Sequence, residues 1–135
     1  MKRNTNYVLG ADFGSDSVRV VVIDAADGKM VGSGVSNYKR WREGKYCDPK
    51  LNQFRQHPLD YIESFEEAVK KAAQESGEAM SKIRALCIDT TGSTPALCDA
   101  SGTPLALNPK FADDPDAMFI LWKDHTAIQE ADDFN

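Results

Sequence analysis

The stretch that decides the fold is Asp12-Phe13-Gly14-Ser15-Asp16-Ser17-Val18-Arg19. A short apolar run, 7–11, precedes its first carboxylate, and its end leads into 18–23, which is rich in β-branched residues. Two such runs joined by a Gly- and Ser-containing turn are typical of an antiparallel hairpin. The turn Asp27-Gly28 and the alternating residues 30–38 predict a third strand. The chain therefore begins with an antiparallel meander.

A helix and a further strand are predicted after the meander. Pro58 suits the first turn of a helix, and apolar residues at helical spacing extend to Ser76-Gly77. This apolar stripe comprises Leu59, Ile62, Phe65, Val69, Ala72 and Ala73. The apolar run 83–89 predicts a buried strand, which the helical connection makes parallel to a neighbour. Cys87 is expected in the core.

The remaining segments have weaker periodicity. Residues 39–57 are expected to form a long ordered loop or flap. The runs 94–98 and 103–107 flank a turn at 99–102 and predict a hairpin, and 117–122 predicts another strand. Asp124 is placed to cap a helix beginning near Thr126. Because that helix has barely begun at Asn135, we expect a truncated chain.

Length and composition limit the possible functions. A chain of 135 residues can hold one genuine core but hardly two lobes, so we expect one compact domain. The net charge of −5 argues against a nucleic-acid-binding protein, and no apolar stretch approaches the roughly 20 residues of a membrane span. Three cysteines without C-x-x-C spacing argue against a disulfide framework or a zinc site, and fit a reducing cytoplasm.

The turn at 12–17 is the first candidate site. Backbone N–H groups and hydroxyls in such a turn can bind phosphate oxygens, and Asp12 can bind hydrated magnesium. An ordinary hairpin, in which Asp and Ser bond their own backbone, is an equally good interpretation at this point.

Two further candidates follow apolar runs. Asp89-Thr90-Thr91-Gly92-Ser93-Thr94 is a second strand end, and two strand ends of one sheet would face one cleft. Trp122-Lys123-Asp124-His125-Thr126 combines an aromatic ring, a cation, a carboxylate and an imidazole, which suits a polyhydroxylated ligand. Structural turns and a helix cap are the alternatives, and His57 beside Pro58 is expected at a helix start. The basic, aromatic segment 39–55 could bind single-stranded nucleic acid, but a loop that packs across the sheet or covers a cleft is favoured.

Residues 12–19 resemble the first phosphate motif of the FGGY carbohydrate kinases, which are sugar kinases of the actin-like ATPase superfamily. Three more stretches, 54–58, 91–96 and 119–126, resemble the branch of that family that phosphorylates ribulose. The resemblance extends from Tyr7 onward. It implies an α/β, actin-like (ribonuclease H-like) fold: a mixed sheet with an antiparallel N-terminal meander and flanking helices, truncated. Residues 1–135 would be the N-terminal part of the first kinase domain.

The resemblance also implies an activity: transfer of the γ-phosphoryl group of ATP to L-ribulose, giving L-ribulose 5-phosphate in cytoplasmic arabinose catabolism. Asp12 would hold Mg²⁺ and phosphates. The phosphate turn would be formed or braced by Gly14, Ser15, Asp16, Ser17 and Arg19. The sugar side would include Gly92, Ser93, Ala96, Trp122, Lys123 and Asp124.

In that family, the general base and the adenine pocket lie further along, in segments absent here. The resemblance therefore implies a fragment that is inactive without its C-terminal half. We expect some self-association through surfaces that the full protein would bury. The alternatives are another FGGY kinase, specific for xylulose or ribitol, and a non-catalytic phosphate- or sugar-binding module.

Overall fold

The computed structural model describes residues 6–134. Its strands are β1 (Tyr7–Phe13), β2 (Ser17–Asp24), β3 (Met30–Asn37), β4 (Cys47–Asp48), β5 (Gln53–Gln56), β6 (Ile83–Thr90) and β7 (Phe119–Ile120). Its α-helices are α1 (Lys39–Arg42), α2 (Pro58–Ser76) and α3 (Ile128–Phe134), and 3-10 helices span Gly77–Lys82, Leu105–Leu107 and Pro115–Ala117.

The described chain divides into two compact units. Unit 1 comprises residues 6–38 and Tyr61–Thr91, and unit 2 comprises Lys39–Asp60 and residues 92–134. The expectation of a single core is wrong because the two segments of unit 2, distant in sequence, pair with each other through β5 and β7.

Unit 1 is built on a four-stranded sheet with the order β3-β2-β1-β6. The first three strands form the predicted antiparallel meander, and β6 pairs with β1 in the predicted parallel direction. Valines 18, 20 and 22 of β2 alternate onto one face and are fully buried there.

Helix α2 packs against β3 at very short range. A Cβ atom on Gly32 would lie 2.7 Å from the Ala72 carbonyl oxygen, and one on Gly34 would collide with the Ala68 carbonyl oxygen. Ala68 and Ala72 are themselves fully buried, whereas Ile62 is 45% exposed. The predicted apolar stripe is therefore wrong at Ile62, because the buried face of the helix consists of small residues that allow this approach.

Aromatic rings pack at one end of this helix–sheet contact. Phe13 stacks on Tyr61 with ring centroids 5.9 Å apart and lies 5.5 Å from Phe65. Tyr38, which is fully buried, stacks on Tyr61 at 4.9 Å. The end of β1 is thus fixed by aromatic packing directly before the turn at 14–16.

Strand β6 is exposed, contrary to the prediction of a buried strand. Leu86 and Ile88 are 51% and 55% exposed, and Cys87 is exposed rather than in the core. The reason is its place in the sheet: α2 packs on β3 at one edge, and β6 is the opposite edge.

Unit 2 contains a three-stranded antiparallel sheet with the order β4-β5-β7. Ala106, Ala117 and Met118 form a buried cluster, against which Tyr46, Leu105 and Phe111 pack. The segment 39–57 is therefore not simply a loop, since it contains α1 and the β4–β5 hairpin.

Two other predictions for unit 2 hold only in part. The hairpin around 99–102 is reduced to a single bridge between Cys98 and Pro104. The strand predicted at 117–122 shortens to β7 because Pro115–Ala117 forms a 3-10 helix. Within residues 6–134, no helix has both the length and the apolar composition needed to cross a bilayer.

The close contact between α2 and β3 predicts that one methyl group added to β3 at this contact lowers the stability of the fold. Replacing Gly34 with Ala is expected to lower the free energy of unfolding by roughly 1–3 kcal/mol, because backbone must shift to admit the Cβ atom. Gly92→Ala is the matched control, since nothing lies within 4 Å of its Cβ position. Urea unfolding followed by circular dichroism measures both, and equal midpoints for the two variants would contradict the prediction.

Candidate functional site

Asp12 lies between two charged partners in the sheet of unit 1. In the antiparallel pairing its Cα faces that of Arg19, and in the parallel pairing its Cα partner is Asp89. Cross-strand partners share a face of a sheet, so all three residues lie on the face opposite α2. The structure thus brings the two predicted strand ends together.

These residues line a shallow cleft on the open face of the sheet. Its volume is about 190 Å³, and it is lined by Gly10, Ala11, Asp12, Arg19, Val21, Cys87 and Asp89. Gly10 leaves space at the base of the cleft, since a Cβ atom there would lie 3.2 Å from the Val21 side chain. The exposed Cys87 belongs to this cleft.

The predicted phosphate turn connects β1 with β2. The Gly14 amide donates to the Ser17 carbonyl oxygen at 3.0 Å, and the Tyr38 amide donates to the Asp16 carbonyl oxygen at 3.0 Å. Both bonds hold the turn in one conformation. The Gly14 amide forms a hydrogen bond within the turn, so Gly14 stabilises the conformation of the turn.

The cleft suits a magnesium ion that is bound together with phosphate. Among residues 6–134, no three or more His, Cys, Asp and Glu side chains are grouped so as to hold a metal ion. Carboxylate oxygens such as those of Asp12 are hard donors, and magnesium usually takes one or two of them together with water and phosphate oxygens. Arg19, the cross-strand partner of Asp12, is a suitable phosphate donor. The donor set therefore fits a magnesium ion that shares its coordination with a phosphate group.

Arg55 connects the separate segments of unit 2. Its Nε donates to Asp124 Oδ2 at 2.8 Å, and one Nη donates to Thr126 Oγ1 at 2.9 Å. The other Nη donates to the Pro115 carbonyl oxygen at 3.3 Å and to Asp116 Oδ1 at 3.2 Å. The Arg55 side chain is only 6% exposed. Its guanidinium thus joins β5 to two segments that lie about 60 and 70 residues later.

Asp124 is the most strongly perturbed carboxyl group in this network. Burial alone raises its pKa, but hydrogen bonds from the Phe54 amide, Thr126 and Arg55 outweigh that effect and lower the pKa to about 2. The Asp124 side chain is 2% exposed. The predicted helix cap at Asp124 is wrong, because α3 begins only at Ile128; the other oxygen of Asp124 accepts from the Thr126 amide at 3.1 Å within a turn that precedes the helix.

The two residues before Asp124 differ in exposure and contacts. The Lys123 ammonium lies over two rings, 4.8 Å from the Trp41 centroid and 4.5 Å from the Phe54 centroid. Trp122 is 56% exposed. The segment 122–124 therefore offers an aromatic surface beside an anchored cation and a buried anion.

The remaining predicted sugar-side residues lie in the loop that opens the second segment of unit 2. Gly92 and Ser93 are exposed and Ala96 is half-buried; Ser93 has a positive φ of 55°. The Ile120 amide donates to the Pro95 carbonyl oxygen at 2.9 Å, which ties this loop to β7. Loop 92–96 and segment 122–124 are thus held by the same strand.

The role of Asp60 in unit 2 was not predicted from the sequence. Asp60 is buried and accepts the Arg40 and Trp41 amides, so that it caps α1. His57 is confirmed at a helix start, because its Nδ1 accepts the Leu59 amide at 3.0 Å. No local pattern signals the role of Asp60, because its partners Arg40 and Trp41 lie in another helix, 20 and 19 residues earlier.

The chain is similar over nearly its whole length to ribulokinases. It is 45% identical over 130 residues to the ribulokinase of Vibrio parahaemolyticus, and the alignment covers 96% of this chain and 23% of the relative. The ribulokinases of Geobacillus thermodenitrificans and Halalkalibacterium halodurans are 35% and 32% identical, over 96% and 97% of this chain and 24% of each relative. The chain thus spans about a quarter of the length of these relatives, and it corresponds to their N-terminal part.

Solved sugar kinases have the same fold. The structure superimposes on a xyloylose kinase from Brucella ovis with a TM-score of 0.75 and 21% identity, covering 96% of this chain and 23% of that one. For a gluconate kinase from Lactobacillus acidophilus the TM-score is 0.70 with 19% identity, covering 96% and 22%. No family model matches the chain. The predicted actin-like fold of the FGGY sugar kinases is confirmed.

The ion pair between Arg55 and Asp124 predicts a pH-dependent stability. Asp124→Asn is expected to lower the free energy of unfolding by about 3 kcal/mol at pH 7, because Arg55 then lacks its buried anion. The folded pKa of Asp124 lies below its ordinary value of 3.8, so its contribution is present above pH 4 and lost as the pH falls through about 2. The difference between the two proteins should therefore shrink by about 2 kcal/mol between pH 5 and pH 2.

Asp116→Asn is the matched control, since it removes the exposed partner of the same arginine. The Asp116 side chain is 83% exposed, so its loss should cost less than about 1 kcal/mol at any pH. Urea unfolding at several pH values measures both variants. If the difference between Asp124→Asn and the unsubstituted protein does not depend on pH, Asp124 lacks the role described here.

Proposed function

Since the chain is homologous to the N-terminal quarter of ribulokinases, we propose that it forms the N-terminal part of a kinase that transfers the γ-phosphoryl group of ATP to L-ribulose, giving L-ribulose 5-phosphate. The observation that carries this proposal is the placement of Asp12 between Arg19 and Asp89 on the open face of the sheet. The higher identity to ribulokinases favours L-ribulose over xylulose and gluconate.

Unit 1 would supply the phosphate side of the reaction. Asp12 would hold magnesium, and Arg19 would bind a phosphate oxygen. Gly14, Ser15, Asp16 and Ser17 would form the turn around the phosphates. When bound, Mg–ATP supplies the transferred phosphoryl group and neutralises its charge. Most of the catalytic effect in such reactions comes from positioning and electrostatic stabilisation, which a fixed turn provides.

Unit 2 would supply part of the sugar side. Six residues are proposed to line or support the sugar pocket: Gly92, Ser93, Ala96, Trp122, Lys123 and Asp124. The loop at 92–96 and the segment at 122–124 are both tied to β7, which supports a shared role. Aromatic rings and a few placed polar groups are typical of small-ligand sites.

The complete reaction would need groups that lie outside these 135 residues. Following the resemblance, the general base and adenine pocket belong to later segments, so we expect this chain alone to release no ADP. We propose that the full-length protein is a cytoplasmic enzyme of arabinose catabolism. Exposed Leu86 and Ile88 on the edge strand support self-association of the isolated chain.

Asp12→Asn in the full-length protein tests the phosphate site. We expect it to lower kcat with Mg–ATP and L-ribulose by about 100-fold or more, because a preorganised charge at the transferred group is lost. Asp27→Asn is the matched control: this exposed aspartate lies in the turn at the opposite end of β2 and accepts the Lys29 amide. Its kcat should equal that of the unsubstituted protein.

A substrate panel accompanies these variants. ADP release is measured with L-ribulose, D-ribulose, D-xylulose, ribitol and glycerol. Turnover with the ribuloses is expected. Turnover only with D-xylulose or ribitol would assign the protein to another sugar, and turnover with none of them would support a non-catalytic binding module.

A further inference from the structure

We propose that Trp41 and Phe54 are positioning residues, which hold the Lys123 ammonium and thereby fix the neighbouring Trp122 ring as the aromatic surface that contacts the pentulose. This inference rests on the proposed function, and nothing in the sequence pattern or the comparisons gives a role to Trp41 or Phe54.

The Lys123 ammonium is held by ring faces. It lies 4.8 Å from the Trp41 centroid and 4.5 Å from the Phe54 centroid, and both distances are within the range of a cation–π interaction. In the described part of the chain, no carboxylate lies within ion-pair distance of Lys123. The two rings are therefore its principal anchors there.

The backbone that carries both rings is held without the help of Lys123. The Trp41 amide donates to Asp60 Oδ2 at 3.1 Å, and Asp60 is 1% exposed. The Phe54 amide donates to Asp124 Oδ2 at 2.7 Å. Two buried carboxylates thus hold the backbone at Trp41 and Phe54, which fixes the positions from which the two rings reach the ammonium.

The consequence for Trp122 follows from its neighbours. Leu121 is 1% exposed, and its amide donates to the Phe54 carbonyl oxygen at 3.1 Å. Lys123 and Asp124 are anchored on the other side of Trp122. The backbone at Trp122 is therefore fixed on both sides, while its ring remains 56% exposed.

The resemblance assigns Trp122, Lys123 and Asp124 together to the sugar side, but this arrangement gives them different roles. Lys123 and Asp124 are engaged with residues of unit 2, and Trp122 presents a large exposed surface. A residue whose backbone is already held loses less conformational entropy when a sugar packs against its side chain. Lys123 accordingly acts on the sugar through Trp122 and not through its own charge.

The test uses the full-length protein and two readouts: the Kd of L-ribulose by calorimetry without nucleotide, and the KM values for L-ribulose and ATP. Lys123→Met keeps the length of the side chain but removes the cation. We expect it to raise the Kd and the KM for L-ribulose about tenfold and to leave the KM for ATP unchanged. Lys123→Arg should restore both values, since a guanidinium also binds ring faces.

Lys110→Met is the matched control, because it removes a similar contact, 5.0 Å from the Phe111 centroid, elsewhere in unit 2. It should leave the Kd unchanged. If Lys123→Met fails to fold, the pair Trp41→Phe and Trp41→Leu replaces it: Phe should retain most of the affinity and Leu should lose it.

Three results would overturn the inference: an unchanged Kd in Lys123→Met, an equal rise of the KM for ATP, or no rescue by Lys123→Arg. Binding and turnover by the unsubstituted protein are measured first. If that protein neither binds nor phosphorylates L-ribulose, the proposed function fails, and the inference fails with it.

Discussion

The register of β1 is the constraint on which the charged cleft of unit 1 depends. This strand pairs antiparallel with β2 and parallel with β6, so the cross-strand partners of Asp12 are Arg19 and Asp89. A slip of one residue would turn Asp12 toward the face that α2 covers, where the fully buried Val20 lies. An unpaired carboxylate on that face would be strongly unfavourable. The apolar pattern of β1 and β2 thus fixes the position of the cleft.

The second constraint in unit 1 is the short distance between α2 and β3. Gly32 and Gly34 have no side chains, and the helix faces them with Ala68 and Ala72, so backbone meets backbone. The helix is therefore held at the β3 edge. The apolar residues of β6 at the other edge remain exposed for the same reason.

The sequence predicted the parts of the fold that depend on local periodicity. The meander follows from alternation, the start of α2 from Pro58, and the parallel direction of β6 from the helical connection that precedes it. The exposure of Cys87 was not predictable in this way, because an apolar run indicates a strand but not its place in the sheet.

The long-range contacts of unit 2 could not be predicted from the sequence, for a different physical reason. Arg55 and Asp124 are 69 positions apart, and neither lies in a pattern that signals its partner. Asp124 was predicted as a helix cap, but α3 begins four residues later, and the principal contacts of Asp124 are with Arg55 and the Phe54 amide. Long-range ion pairs of this kind become visible only when the chain has folded.

Two buried carboxylates of unit 2 differ from two exposed carboxylates of unit 1 in the partners that the fold gives them. In unit 2, Asp60 and Asp124 are buried and each is paired with an arginine and with backbone amides. Such groups are satisfied internally and stabilise the fold. In unit 1, Asp12 and Asp89 are exposed on neighbouring strands, and in the described chain neither forms an ion pair. Two like charges side by side in a sheet are unfavourable unless a cation joins them. Both carboxylates lie in the cleft that the register of β1 creates, with Arg19 as the other cross-strand partner of Asp12, and this cleft is where we propose that magnesium binds.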